Sequence, residues 1–273
     1  MALQLMFITN EPSIAEIAQQ NGVERIWIDL EVLGKEERQR GMNTVKSNHC
    51  IEDIRKIKPL LSKSKLLVRV NPWNNNSEKE IEEVICAGAD LIMLPMWRTL
   101  NEVKRFLDTV NGRCKTILLL ETREAEDCLD EVLKLGGMDE IHIGLNDLSL
   151  SYNLDFLFEL LADGTVERIC KKIAPYGIPY GFGGIAKLGC GELPAEKIIL
   201  EHYRLGSTRA ILSRSFCNVN SIKDLNEVRT IFSENLKDLR EFEASIDSNI
   251  DFESNRKEIK EIVNTIVQKK REN

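Results

Sequence analysis

The chain has 273 residues, 42% hydrophobic and 30% charged, with a formal net charge of −7. This is enough apolar material for a substantial core, and a single α/β barrel falls in this size range as well as two small domains. The acidic balance excludes a general nucleic-acid or membrane-surface binder. The seven cysteines (50, 86, 114, 128, 170, 190 and 217) are scattered, with no Cys-x-x-Cys spacing, as expected in a reducing compartment. Residues 1–9 lack a basic leader region and read as a strand, and no apolar run is long enough to span a bilayer, so a cytoplasmic protein is expected.

Strand and helix patterns alternate along the chain. Strands are predicted at 3–9, 25–31, 65–71, 91–96, 116–121, 140–146, 179–185 and 209–213, mostly as apolar runs that suit a parallel sheet buried on both faces. Between them, apolar residues recur at helical spacing, as in Val103, Phe106, Leu107 and Val110, and the segment between 121 and 140 reads as one amphipathic helix. Gly22, Gly88, Gly136 and Gly206 follow helix patterns where a left-handed cap fits, and Pro12 and Pro194 stand where helices begin. Eight such units of about 30 residues predict a (β/α)8 TIM barrel with additional C-terminal helices; a doubly wound open sheet is the alternative.

Two departures from a minimal barrel stand out. Residues 32–48 form a long polar connection with Lys35, Arg38, Arg40 and Lys46 on the expected active-site face. At the other end, 221–245 and 251–272 are charged helical patterns. The first completes a barrel spanning 1–245. Residues 246–273 are a helical extension whose seam (Ile259, Ile262, Val263, Ile266) packs either on its own barrel or on a neighbouring subunit.

Barrel enzymes draw their catalytic groups from the C-terminal strand ends. Here those ends carry Asp29 and Glu31, Arg69 and Asn71, Glu121, and Asp147. Glu121 and Asp147 close consecutive strands and converge on one mouth, where a carboxylate pair either binds a hard metal ion or forms part of an ion-pair network. Arg69, inside an apolar run, needs an anionic partner: an internal carboxylate or a substrate. Asp29 and Asn71, on the same strand faces as Glu31 and Arg69, are further candidates for binding substrate. His49 ends the long connection, His142 is expected in the helix layer and His202 on a helix surface. Gly183, Gly184 and Arg214 could cradle a phosphate at the seventh and eighth strands, or the glycines could serve a tight strand end.

These strand ends together resemble the HpcH/HpaI aldolase/citrate lyase β-subunit family. The matching segments are Ile28–Glu31, Val68–Asn71, Ala87–Pro95, Leu120–Ala125 and Ile143–Ser149, in order and with family-like spacing. The resemblance implies a phosphoenolpyruvate/pyruvate-type barrel that binds Mg²⁺ or Mn²⁺ through Glu121 and Asp147. It places Arg69 on the carboxylate of a small anionic substrate, a 2-oxo acid or an acyl-CoA-like thioester. It implies carbon–carbon bond cleavage or formation through an enolate, and a homo-oligomer (trimer or hexamer) in which the last helix packs on a neighbour. The acid or histidine that the family carries after the second strand's acid is Val32 here, so Glu31, His49 or a metal-bound water are the candidates for proton transfer. A carbon–carbon lyase is the expected enzyme; a phosphate-handling barrel, or a relative serving as a binding or assembly component, are the alternatives.

Overall fold

The computed structural model describes residues 2–34, 48–219, 221–222, 224–247 and 249–272. Most of the basic connection after the second strand, including Lys35, Arg38, Arg40 and Lys46, lies outside the described residues. Eight strands, β1 (Gln4–Ile8), β2 (Arg25–Asp29), β3 (Lys65–Arg69), β4 (Leu91–Leu94), β5 (Lys115–Leu120), β6 (Glu140–Ile143), β7 (Tyr180–Ile185) and β8 (Arg209–Leu212), close into a parallel barrel in sequence order. β1 pairs with both β2 and β8, so no edge is left open.

Two apolar layers follow from strand alternation. Met6, Trp27, Leu67, Leu91, Met93, Ile117 and Leu119 fill the barrel interior, while residues such as Ile26, Val68, Ile92, Leu118, Ile141 and Ile143 face the surrounding helices. The N-terminal end of the interior is polar. Glu140 accepts from Arg25 at 2.7 and 2.6 Å and from Arg209 at 3.1 Å, and Arg25 also reaches Gln4 Oε1 at 3.0 Å. Burial opposes the Glu140 charge, but the two guanidiniums outweigh it and hold its pKa below the usual range.

Helix ends use the expected signals. Thr99 accepts from the Glu102 N–H at 3.3 Å while Glu102 accepts from the Thr99 N–H at 2.9 Å, a capping box worth about 1 kcal/mol. Gly88 ends the helix Ser77–Ala87 at φ 104°, a conformation that strains any other residue.

Four expectations change. The segment after β5 is two short helices, Arg123–Asp127 and Leu129–Leu135, because Cys128 (φ −97°, ψ 8°) leaves the helical basin between them. β6 ends at Ile143, so Asp147 belongs to the first turn of the helix Leu145–Ser151 rather than to a strand tip. His142 pairs in register with Leu119 and therefore faces the barrel interior, not the helix layer. Burial lowers its pKa to about 4, against the opposing pull of the Gly183 backbone. His202 is not at the surface either: it is buried, stacked on Phe182 at 3.8 Å, with Nδ1 2.7 Å from Ser207 Oγ.

The final helix, Phe252–Glu272, buries Ile259, Val263 and Val267 against the chain's own helices Glu159–Ala162 and Ala195–Arg204. Asn255 donates to the Lys197 carbonyl at 3.1 Å and pins its start. No helix among the described residues is long and apolar enough to cross a membrane.

Candidate active site

At the C-terminal mouth of the barrel, Arg69 ends β3 over the ring of Trp27, with its Cζ 5.1 Å from the ring centroid. Its Nε and Nη2 donate to the two oxygens of Asp29 at 2.8 and 2.9 Å, and Nη2 lies 3.2 Å from Glu31. Burial alone would lower the Arg69 pKa; Asp29, Glu31 and Glu121 reverse this and raise it. The guanidinium is thus fixed by internal carboxylates, and its Nη1 makes no hydrogen bond with the described residues.

Glu121 follows β5 and is buried. Its Oε1 accepts the Met96 N–H at 3.0 Å. Met96 holds φ 52°, an uncommon backbone conformation for a non-glycine residue, so its amide is presented to Glu121 at a cost in strain. Thr122 ties the same turn down: its Oγ1 donates to the Trp97 carbonyl at 2.9 Å and accepts from the Ala125 N–H at 3.1 Å. A Cβ on Gly144 would stand 2.7 Å from Glu121 Oε2, so only glycine fits there. Burial, then the negative charges of Glu31 and Asp147, raise the Glu121 pKa well above the usual carboxylate range, against the opposing pull of Arg69 and the Met96 amide. Asp147 reaches the same region from the helix Leu145–Ser151 and lines the cavity with Glu121, Arg69, Asp29 and His49.

His49 Nδ1 accepts the backbone N–H of Asp29 at 3.0 Å. A backbone amide can only donate, so Nδ1 is unprotonated and a neutral His49 carries its proton on Nε2. Asn71 is placed differently. Its Oδ1 accepts the N–H groups of Val32 and Leu33 at 2.9 and 3.0 Å, and its Nδ2 donates to Glu80 at 2.7 Å, so it anchors the start of the connection after β2. Glu31, also off the cavity wall, touches the site through Arg69. The backbone of Met96 and the absent side chain of Gly144 escaped the sequence reading, because neither carries a chemical group that a motif would mark. At β7, a Cβ on Gly183 would meet Leu145 Cδ1 at 2.6 Å, so this glycine makes room for packing.

Residues 4–155 match the family model of the HpcH/HpaI aldolase/citrate lyases. The chain belongs to the HpcH/HpaI aldolase/citrate lyase family. The match runs from β1 past the helix that carries Asp147, and so takes in Asp29, Glu31, His49, Arg69, Asn71 and Glu121. Solved structures share the barrel fold at low identity. An HpcH/Hpal aldolase/citrate lyase family protein from Burkholderia cenocepacia J2315 superposes with a TM-score of 0.64 at 14% identity, covering 84% of this chain and 95% of that one. The HpcH/HpaI aldolase of Desulfitobacterium hafniense DCB-2 gives 0.59 at 14%, covering 88% and 93%. The citrate synthase SbnG gives 0.58 at 15%, covering 89% and 95%. Comparison with curated proteins finds no significant sequence match.

Proposed function

We propose that this protein is a divalent-metal-dependent carbon–carbon lyase or aldolase that works through an enolate on a 2-oxo acid or acyl-thioester-like substrate. The observation that carries the reading is that buried Glu121 lines one cavity with Asp147 and Arg69; burial first, then the charges of Glu31 and Asp147, push its carboxyl towards protonation. Its cationic neighbour among the described residues, Arg69, is already bonded to Asp29 and Glu31. A hard cation between Glu121 and Asp147 would relieve that cost, and all-oxygen donors select Mg²⁺ or Mn²⁺. No group of three or more His, Cys, Asp or Glu side chains suited to a metal ion occurs among the described residues. A two-carboxylate site suits Mg²⁺, which keeps several waters and takes substrate oxygens in its remaining positions.

When bound, the ion supplies Lewis-acid polarisation of the substrate carbonyl. The chain's own residues do the rest. Arg69, immobilised by Asp29, offers Nη1 to the substrate's carboxylate or developing enolate oxygen, with no reorganisation needed during reaction. His49, with Nδ1 occupied by the Asp29 amide, is a neutral imidazole whose ring would donate a hydrogen bond toward the enolate oxygen without giving up its proton. Glu31 positions Arg69. The packing of Leu145 against Gly183 weighs against a phosphate cradle there.

The test is Glu121→Gln, with Mn²⁺ binding read calorimetrically and pyruvate enolisation read as deuterium exchange at its methyl group. At least a hundredfold loss of exchange together with weakened Mn²⁺ binding is expected; if both are unchanged, the reading is wrong.

A further inference from the structure

The acid cluster occupies only part of its cavity. The whole space is about 700 Å³, a volume that accepts a ligand far larger than a bare three-carbon oxo acid. From Asp29, Arg69, Glu121 and Asp147 it continues along the tips of β7, β8 and β1, where its walls include Phe156, Leu157, Phe158, Leu193, Ile198 and Val219. All six lie beyond residue 155, where the match to the family model ends. Beyond residue 155 the lining combines these six apolar residues with Glu192, Ser213, Arg214, Ser215 and Asn218.

The apolar wall is also held in place. Phe156 and Phe158 meet edge to face at 5.4 Å. The last turn of the final helix reaches both sides of the arm: Lys270 Nζ lies 4.6 Å from the Phe156 ring centroid and 3.7 Å from Glu192, and Arg271 donates to Asp155 at 2.7 Å. Exposed ion pairs of this kind add little stability singly, but here they join the 155–158 segment to the Glu192 loop over the same cavity, so the arm keeps its shape.

We propose that the half of the substrate remote from the oxo acid is apolar, a straight alkyl or aryl-alkyl chain that lies in this arm. The proposal rests on the lyase reading for its chemistry. In the condensation direction the acceptor is then an unbranched aldehyde. The new bond joins C3 of pyruvate to the aldehyde carbon, the proton lost from C3 is balanced by the one gained on the new hydroxyl, and nothing is oxidised or reduced.

The experiment measures KM for butanal, hexanal and octanal against succinic semialdehyde, with pyruvate and Mn²⁺ saturating. Each methylene buried in the arm lowers KM about fourfold until the arm is full. Phe158→Glu abolishes this trend through KM, and Phe158→Leu restores it. A flat series overturns the proposal, as does a lower KM for succinic semialdehyde than for hexanal, which would assign the far wall to carboxylate recognition by Arg214. Titration calorimetry with 1-butanol, 1-hexanol and 1-octanol reads the same trend without turnover. A protein that shows it yet exchanges no pyruvate hydrogen keeps the arm and loses the lyase reading; no trend in either series removes the arm.

Discussion

Replacing Gly144 by alanine tests whether the position of Glu121, and not merely its presence, matters. The added Cβ would lie 2.7 Å from Glu121 Oε2, 2.9 Å from Glu121 Cβ and 3.2 Å from Leu119 Cδ1. An ordinary contact starts near 3.4 Å, so the carboxyl oxygen must retreat by about 0.7 Å. Rotating the carboxyl group cannot relieve the Cβ contact, so the backbone after β5 or the Gly144 turn must move as well. Overpacking of this kind costs about 1–3 kcal/mol, a modest loss for a barrel with two apolar layers. The functional cost is larger, because a displacement approaching 1 Å in a reacting constellation costs on the order of 10²-fold in rate. Thermal unfolding and pyruvate deuterium exchange, measured on the same preparation, separate the two effects. We expect a folded protein with Tm lowered by several degrees and exchange reduced about a hundredfold. Exchange at the unaltered rate in a folded Gly144→Ala protein would refute the placement of Glu121 as the group on which the site is built.

Other outcomes follow from the interior. Glu140→Ala leaves Arg25 and Arg209 buried without their shared carboxylate and is expected to cost about 3–5 kcal/mol, read as a large fall in the denaturant midpoint. His142 has its folded pKa depressed to about 4, from an ordinary 6.5. A depressed histidine favours folding above the unfolded pKa and loses that contribution as pH falls, so stability should decline from about pH 6.5 to 4. His142→Leu should flatten that decline in a pH series of chemical denaturations; an unchanged slope would assign it to other groups. Met96→Gly relieves the positive φ, so unfolding should show little loss of stability, while the freed turn lets the amide leave Glu121 and lowers exchange.

Much of this architecture was legible in the sequence because a parallel barrel buries both faces of each strand, and so writes each strand as an apolar run. The same rule overran the strand ends. Apolar residues continue past Ile143 into Leu145, but no side-chain cap marks the helix that starts there, so Asp147 read as strand. The ionisable tips were visible as isolated charges in apolar runs. What they bond to was legible only in part: Arg69 takes internal carboxylates, Asp29 and Glu31, one of the two alternatives open to it, while Asn71 finds Glu80 on the next helix, which no motif marked. His142 and His202 illustrate a further limit, since a neutral imidazole can sit in either layer and its sequence neighbours do not say which. The tail's seam was plain, but its host was decided by three-dimensional proximity to Glu159–Ala162 and Ala195–Arg204.

The guanidinium–carboxylate knot of Arg25, Glu140 and Arg209, with the packed side chains above it, closes the N-terminal end of the barrel among the described residues. The proposed cleavage reaction would make two molecules from one, and both would depart by the face through which the substrate arrived. The fragment that lingers therefore occupies the next substrate's route, and in steady-state kinetics it should act as a direct competitor. Traffic at the C-terminal mouth, rather than bond breaking alone, would then share in setting the pace of the proposed reaction.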